Sequence, residues 1–169
     1  MIPSFLLLLD TSGSMQSASG EKIQSLNLTV NNFIAGLKST SEELQLAIIT
    51  IGGTPSMYNF VPVKEIMPVN YPAKGSTALT EALVLANTTI ENHLLKKQSQ
   101  CSKVITVLIS DGIFNDGKFS KITLDGPVYA IGIGFDANYE ELTRFTACPS
   151  RILRPYDAEA AAGYMLQKN

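Results

Sequence analysis

Three separate segments of the chain offer oxygen donors of the kind that hold hard cations: Asp10-Thr11-Ser12-Gly13-Ser14, Thr77 and Asp111. Asp10, Ser12, Ser14, Thr77 and Asp111 together supply carboxylates and hydroxyls, with no nitrogen or sulfur among them. Such a set suits Mg²⁺, Mn²⁺ or Ca²⁺, and on donor softness it does not suit zinc or copper. Gly13 permits a loop tight enough for Ser12 and Ser14 to turn inward together. Taken singly, each residue has a plainer reading. Ser12 and Ser14 are common in turns, Thr77 stands where a helix N-cap would be, and a lone Asp at a strand end caps or faces solvent. The metal reading rests on the convergence of all five at one place.

That convergence needs a fold that delivers distant segments to one edge. Ser4 to Leu9 is an apolar run ending at Asp10, and Leu44 to Ile51 is a second, closed by Gly52-Gly53. Val104 to Ile109 ends at Asp111-Gly112, and Val128 to Ile133 ends at Gly132-Ile133-Gly134. Between these runs, Ile23, Leu26, Val30, Ile34 and Leu37 mark one helical face, and Leu79, Leu83, Ala86, Ile90 and Leu94 mark another. Tyr58 to Val63 is expected to return antiparallel as an edge strand, where Pro62 is tolerated. Asn138 with Glu141 reads as a capping box for a short helix. Arg151 to Leu153 reads as a last edge strand, and Asp157 as the cap of a terminal helix running through Gln167.

Strands apolar on both faces and separated by helices predict an α/β fold with a mostly parallel, doubly wound sheet covered on both sides. In such sheets ligands bind at the carboxyl ends of the strands, where the winding reverses. The strands ending in Asp10 and Asp111 are the expected neighbours at that point. No repeat and no low-complexity linker divides the chain, so residues 1–169 are expected to form a single domain.

Composition removes several classes. The 169 residues carry 13 Lys plus Arg against 15 Asp plus Glu, a net charge of −2, which gives no basic footprint for nucleic acid. With 45% hydrophobic and 17% charged residues, the chain is richer in buried segments than a disordered one can be. One His and two Cys cannot build a structural zinc site, and Cys101 and Cys148 form neither a CxxC motif nor a disulfide scaffold. A reduced pair and a cytoplasmic location are expected. Both Cys are expected at the amino end of the sheet, away from the oxygen donors. Ile2 to Leu9 lacks the basic lead and cleavage site of a signal peptide and falls short of the roughly 20 apolar residues that span a bilayer. It reads as a buried strand, with no membrane insertion.

The same residues also admit enzyme readings. An Asp after an apolar strand suggests a haloacid-dehalogenase-type phosphatase, a Mg²⁺-dependent phosphoester or nucleotide enzyme. The general acid of such enzymes would stand at Ser12, which cannot protonate a leaving group near neutral pH. Gly132-x-Gly134-x-x-Ala137, with Asp157 further on, fits a dinucleotide fingerprint but comes late and before a short helix, so it reads as a strand end. Lys74-Gly75-Ser76 lacks the earlier glycine of a P-loop. His93, mid-helix near Lys96 and Lys97, is expected to be solvated and not to serve a Ser nucleophile. No enzymatic activity is expected; a structural subunit with a vestigial metal site is the remaining alternative.

Asp10-x-Ser12-x-Ser14 after an apolar strand, Gly75-Ser76-Thr77-Ala78-Leu79 opening a helix, and Asp111-Gly112 after Val-Leu-Ile-Ser resemble the metal-ion-dependent adhesion site of von Willebrand factor A domains. The resemblance implies a Rossmann-like sheet in the order 3-2-1-4-5-6 with the third strand antiparallel. It implies that Ser12, Ser14 and Thr77 approach one Mg²⁺ while Asp10 and Asp111 act directly or through water, and that an Asp or Glu of a protein partner completes the shell. The phrase Leu-Leu-Leu-Asp-Thr-Ser-Gly-Ser-Met is similar to bacterial intracellular members, including the TerY-like group linked to tellurite resistance and to stress or phage-defence operons. Met15, Tyr71, Phe114 and Phe135 are expected to frame an interaction surface around the ion. Asn115-Asp116-Gly117 reads as a turn, and Glu21, Glu81 and Asp136 as helix-start charges.

Overall fold

An unbroken apolar run cannot face water on either side, and Ile2–Leu9 (β1) accordingly takes the middle of a sheet, with Phe5 to Leu9 wholly buried. The structure, a computed structural model, describes residues 2–40, 42–96, 101–115 and 121–169. Five further strands follow in the chain: Gln45–Thr50 (β2), Ser56–Pro62 (β3), Cys101–Ser110 (β4), Val128–Gly132 (β5) and Ile152–Leu153 (β6). The helices are Glu21–Lys38 (α1), Leu79–Lys96 (α2), Tyr139–Thr146 (α3) and Ala158–Lys168 (α4). The sheet order is β3-β2-β1-β4-β5-β6, with β3 antiparallel to β2 and the other pairings parallel. The expected doubly wound α/β architecture is the one observed.

Register decides where the carboxylates fall. Leu9 pairs with Thr50 on one side and with Ile109 on the other. Strands β1 and β4 therefore end together, and Asp10 continues the ladder by donating its N–H to the Ile109 carbonyl at 2.9 Å.

Alternate residues of the central strands feed two separate cores. Phe5, Leu7, Leu9, Ile105 and Val107 pack with the Leu26, Val30, Phe33 and Leu37 stripe of α1 and with Ala161, Ala162 and Met165 of α4. Leu6, Leu8, Leu108 and Ala130 pack on the other face with Leu79, Leu83, Ala86 and Ile90 of α2 and Leu142 of α3. The Cys placement concerns the opposite end from Asp10: Cys101 opens β4, and Cys148 precedes the turn that leads into β6.

Several local expectations are corrected. His93 is 7% exposed rather than solvated. It stands three residues beyond Ile90 on the buried stripe of α2, stacks on Phe60 at 3.8 Å between ring centroids, and places Nε2 2.9 Å from Ser4 Oγ. Only half of the capping box forms. Asn138 Oδ1 accepts from the Glu141 N–H at 3.2 Å, but the Glu141 carboxylate turns to Arg144 and the Asn138 N–H goes to the Asp111 carbonyl. Asp157 occupies the N-cap position of α4 without a capping side-chain bond, because the chain enters through a 3₁₀ turn at Pro155–Asp157 that leaves it at φ −92°, ψ 2°. An N-cap aims its side chain from extended backbone, which this is not. Arg151 belongs to the 3₁₀ turn before β6 rather than to the strand.

Helices α1 and α4 come into close contact at Gly36, where a Cβ would stand 2.1 Å from the Glu159 carbonyl oxygen. At Gly163 in α4 a Cβ would meet nothing within 4 Å. Gly163→Ala is therefore expected to stabilise the fold by about 0.5–1 kcal/mol, the ordinary helical preference for Ala over Gly. Gly36→Ala should reverse that sign and cost about 1–3 kcal/mol through overpacking. Urea unfolding of both variants checks the pair, and equal gains from both would refute the close approach.

Candidate metal centre

The site grows out of the end of β1. Asp10 is buried, and its Oδ1 accepts the Ser12 N–H at 3.0 Å, which bends the chain at once into a 3₁₀ turn at Gly13–Gln16. Met15 anchors that turn by filling the α1-side core. The bend brings Ser12 Oγ and Ser14 Oγ within 3.2 Å of each other, with Ser12 buried and Ser14 exposed.

Backbone bonds bring the second segment in. Gly13 N–H donates to the Gly75 carbonyl at 2.8 Å, and Lys74 N–H to the Thr11 carbonyl at 2.7 Å. Gly53 N–H donates to Ser76 O at 2.9 Å, Gly52 N–H to Thr11 Oγ1 at 3.2 Å, and Thr77 forms a β-bridge with Gly52. Gly52 cannot be replaced without moving these strands, since a Cβ there would lie 2.3 Å from the Thr11 carbonyl oxygen and 2.6 Å from that of Lys74. Ala78, not Thr77, takes the cap position of α2, its carbonyl accepting from Ala82 N–H. Further back, Asn27 and Asn31, a turn apart on α1, each use both ends of the side-chain amide to grip the backbone of Tyr71 and Val69 at 2.8–2.9 Å. The extended segment leading to Thr77 is strapped to α1 in this way.

The third segment follows β4. Asp111 is fully buried; its Oδ1 accepts the Ile113 N–H at 3.0 Å, repeating the arrangement at Asp10. Gly112 has φ +74° and lies against the Asn138 carbonyl, where a Cβ would stand at 2.6 Å, so only glycine fits. Ser110 joins the two carboxylate segments: its hydroxyl donates to Asp10 Oδ2 at 2.6 Å and accepts the Gly112 N–H at 2.9 Å. Lys22, in the first turn of α1, reaches Asp111 Oδ2 at 3.1 Å and Asp136 Oδ2 at 2.8 Å.

Burial pushes the Asp10 carboxyl above its ordinary pKa, although the hydrogen bonds from Ser110 and Ser12 oppose the shift, and the neighbouring charge of Asp111 adds to it. Desolvation works against the Lys22 ammonium, but its bonds to Asp136 and Asp111 outweigh this and hold its pKa above the usual value. The Lys22 hydrogen bond lowers Asp136. Two buried carboxyls at one edge, one of them penalised by desolvation, make a place where a cation is electrostatically favoured. The three hydroxyls are needed as well: among the described residues no group of three or more His, Cys, Asp or Glu is placed to hold an ion. The donor set present therefore fits a hard divalent cation.

Asp10, Ser12, Ser14 and Asp111 are thus gathered around adjoining strand ends, and Thr77 is carried to the same edge by the backbone ties. Sequence reasoning missed Ser110, Lys22 and the Asn27–Asn31 strap. Ser110 had a signal, a hydroxyl on the last residue of an apolar strand beside Asp111; Lys22 and the asparagines had none. The expected rim is reduced. Met15 is core, Tyr71 and Phe114 are half-buried against the two cores, and Phe135 alone of the four is fully exposed. Ile113, not anticipated, is 37% exposed beside Asp111. Asp136 is a partner of Lys22 rather than a free helix-start charge, and Asp116-Gly117 lies outside the described residues.

A six-stranded sheet in this order, with a hydroxyl-bearing turn at the end of its central strand, is the von Willebrand factor A type of α/β fold. Among solved structures of that fold, manganese-loaded Plasmodium vivax TRAP protein matches 97% of this chain over 72% of its own length, with 18% identity and a TM-score of 0.72. The von Willebrand factor type A protein from Catenulispora acidiphila matches 99% of this chain over 42% of its own, with 15% identity and a TM-score of 0.70. Proximal thread matrix protein 1 from the mussel byssus, with a zinc-occupied adhesion-site motif, matches 98% over 47%, with 15% identity and a TM-score of 0.64. No protein-family model and no curated protein sequence matches the chain.

Ser110→Ala would leave Asp10 Oδ2 and the Gly112 N–H without their partner in a buried place. The expected cost is about 1–3 kcal/mol, read by chemical unfolding in the presence of a chelator so that metal binding does not contribute.

Proposed function

We propose that residues 1–169 act as one divalent-metal-dependent protein-interaction domain. In this reading Ser12, Ser14 and Thr77 approach Mg²⁺, with Asp10 and Asp111 holding it directly or through water; Mn²⁺ and Ca²⁺ are the other ions such donors accept. The observation that carries the reading is the bond between Asp10 and its own loop together with the Ser12–Ser14 approach at 3.2 Å, which turns hydroxyls and a buried carboxyl toward one edge. When bound, the ion supplies Lewis acidity, and coordination largely by neutral hydroxyls keeps it attractive to one more anionic oxygen. An Asp or Glu side chain of a protein partner is the ligand that fits. Phe135, fully exposed in the loop after β5, and Ile113 after β4 give that partner apolar contacts next to the ion.

The chain's own residues support binding over turnover. Its single His is bonded to Ser4 near the start of β1, at the opposite end of the strand from Asp10, and is no base for the site. The position that a phosphatase would give to its general acid holds Ser12, whose hydroxyl lies against Ser14. No helix among the described residues is long and apolar enough to cross a membrane. The cytoplasmic setting rests on the cysteine usage, and a role in a bacterial stress or phage-defence system rests on the likeness of the first strand and its loop to the TerY-like group.

Thermal unfolding with and without Mg²⁺ or Mn²⁺, for wild type and Asp10→Asn, is the test. Metal at about 100 times its dissociation constant should stabilise the wild type by roughly 2.7 kcal/mol and the variant far less. No metal-dependent shift across millimolar Mg²⁺ and Mn²⁺ in either protein would sink the metal reading. Phosphoester turnover abolished by Asp10→Asn would replace it with the enzymatic one.

A further inference from the structure

Lys22 is the basic residue bonded to the proposed ligand set, and the proposed function does not use it. Lysine is among the most solvated of residues, yet this side chain is only 12% exposed. Its stem lies against Gly134, at φ +88°, where a Cβ would stand 3.1 Å from Lys22 Cε and 3.5 Å from Cγ. Its ammonium straddles two acceptors of unlike kind: Asp111 Oδ2 at 3.1 Å, on a side chain with no exposed surface, and Asp136 Oδ2 at 2.8 Å, on a side chain 41% exposed. One acceptor belongs to the proposed ligand set and the other does not.

We propose that Lys22 is a tethered counter-ion that competes with the divalent cation for Asp111, and that Asp136 is the acceptor to which it withdraws, so that the pair sets the metal affinity of the site. The inference rests on the metal reading given above. An oxygen already bonded to an ammonium can serve an ion, directly or through water, only by bringing two cations within a few ångströms of each other, where repulsion at a buried edge is strong. Relief requires the ammonium to move, and Asp136 lets it do so without losing its ion pair. The same ammonium offsets the charge of Asp111 beside the buried Asp10.

Calorimetric titration of Mn²⁺ and Mg²⁺ into the full chain tests this with wild type, Lys22→Met, Asp136→Asn and the double variant. Lys22→Met should bind about tenfold more tightly or better, since a competing unit charge is removed, while the charge-conserving Lys22→Arg should stay near wild type. Asp136→Asn should bind several-fold more weakly, because Lys22 is then left on Asp111. The decisive term is the double variant, which should bind as tightly as Lys22→Met if Asp136 acts only through Lys22. Equal or weaker binding by Lys22→Met, or a loss from Asp136→Asn that persists in full in the double variant, would overturn the inference and leave the metal site standing. Absence of binding in all the proteins would instead overturn the metal reading itself. Lys22→Gln replaces Lys22→Met should the latter fail to fold, as judged by circular dichroism.

Discussion

A carboxyl at the end of a strand that sees no water must be held by donors of the protein's own making, and Asp10 imposes that demand on everything around it. One oxygen is met by the Ser12 N–H, which forces the chain to turn immediately after β1; the other is met by Ser110, which requires β4 to lie beside β1 in the observed register. The turn offers Ser12 and Ser14 together, and the register sets Asp111 one residue past the Ser110 contact. The oxygen-rich edge is in this sense a by-product of satisfying one buried acid, since the same bonds that solvate Asp10 also assemble its neighbours. The hydrophobic effect supplies the driving force, through strands buried on both faces, while the geometry of the site is set by a handful of polar bonds at their ends.

Much of this was legible in the chain itself. Apolar runs at Ser4 to Leu9 and Val104 to Ile109, each short and closed by a polar turn, read as buried strands, and the spacing of Leu26, Val30 and Leu37 reads as one helical face. The antiparallel return of Tyr58 to Val63 was legible in its short connection and in Pro62, whereas the full strand order came from the likeness to a family, since periodicity does not rank strands in a sheet. The donors Asp10, Ser12, Ser14, Thr77 and Asp111 were legible because each is a polar residue at a point where an apolar element begins or ends.

What stayed hidden depends on partners far away in sequence. Charge near His93 in sequence suggests a wet face, whereas Phe60 and Ser4, brought there by the sheet, make it a buried one. Met15 sits in a polar loop by composition but in the core by position, since a turn as tight as this one needs an apolar anchor. Asn138 offered a local capping signature, and a tertiary bond to Asp111 took half of it. In each case a local rule met a contact over a long sequence distance and yielded to it, which is the usual fate of propensity in a folded chain.

The asparagine strap gives α1 a mechanical standing that its packing alone does not suggest. Asn27 and Asn31 bind the backbone of the segment that runs to Thr77, and Lys22, less than two turns earlier on the same rod, is bonded to Asp111. One stiff body thus grips the oxygen-lined edge from two sides, through a cation on one and a strip of main chain on the other. A slide or roll of that rod would pull on the second and third donor segments at the same moment, since both are fastened to it.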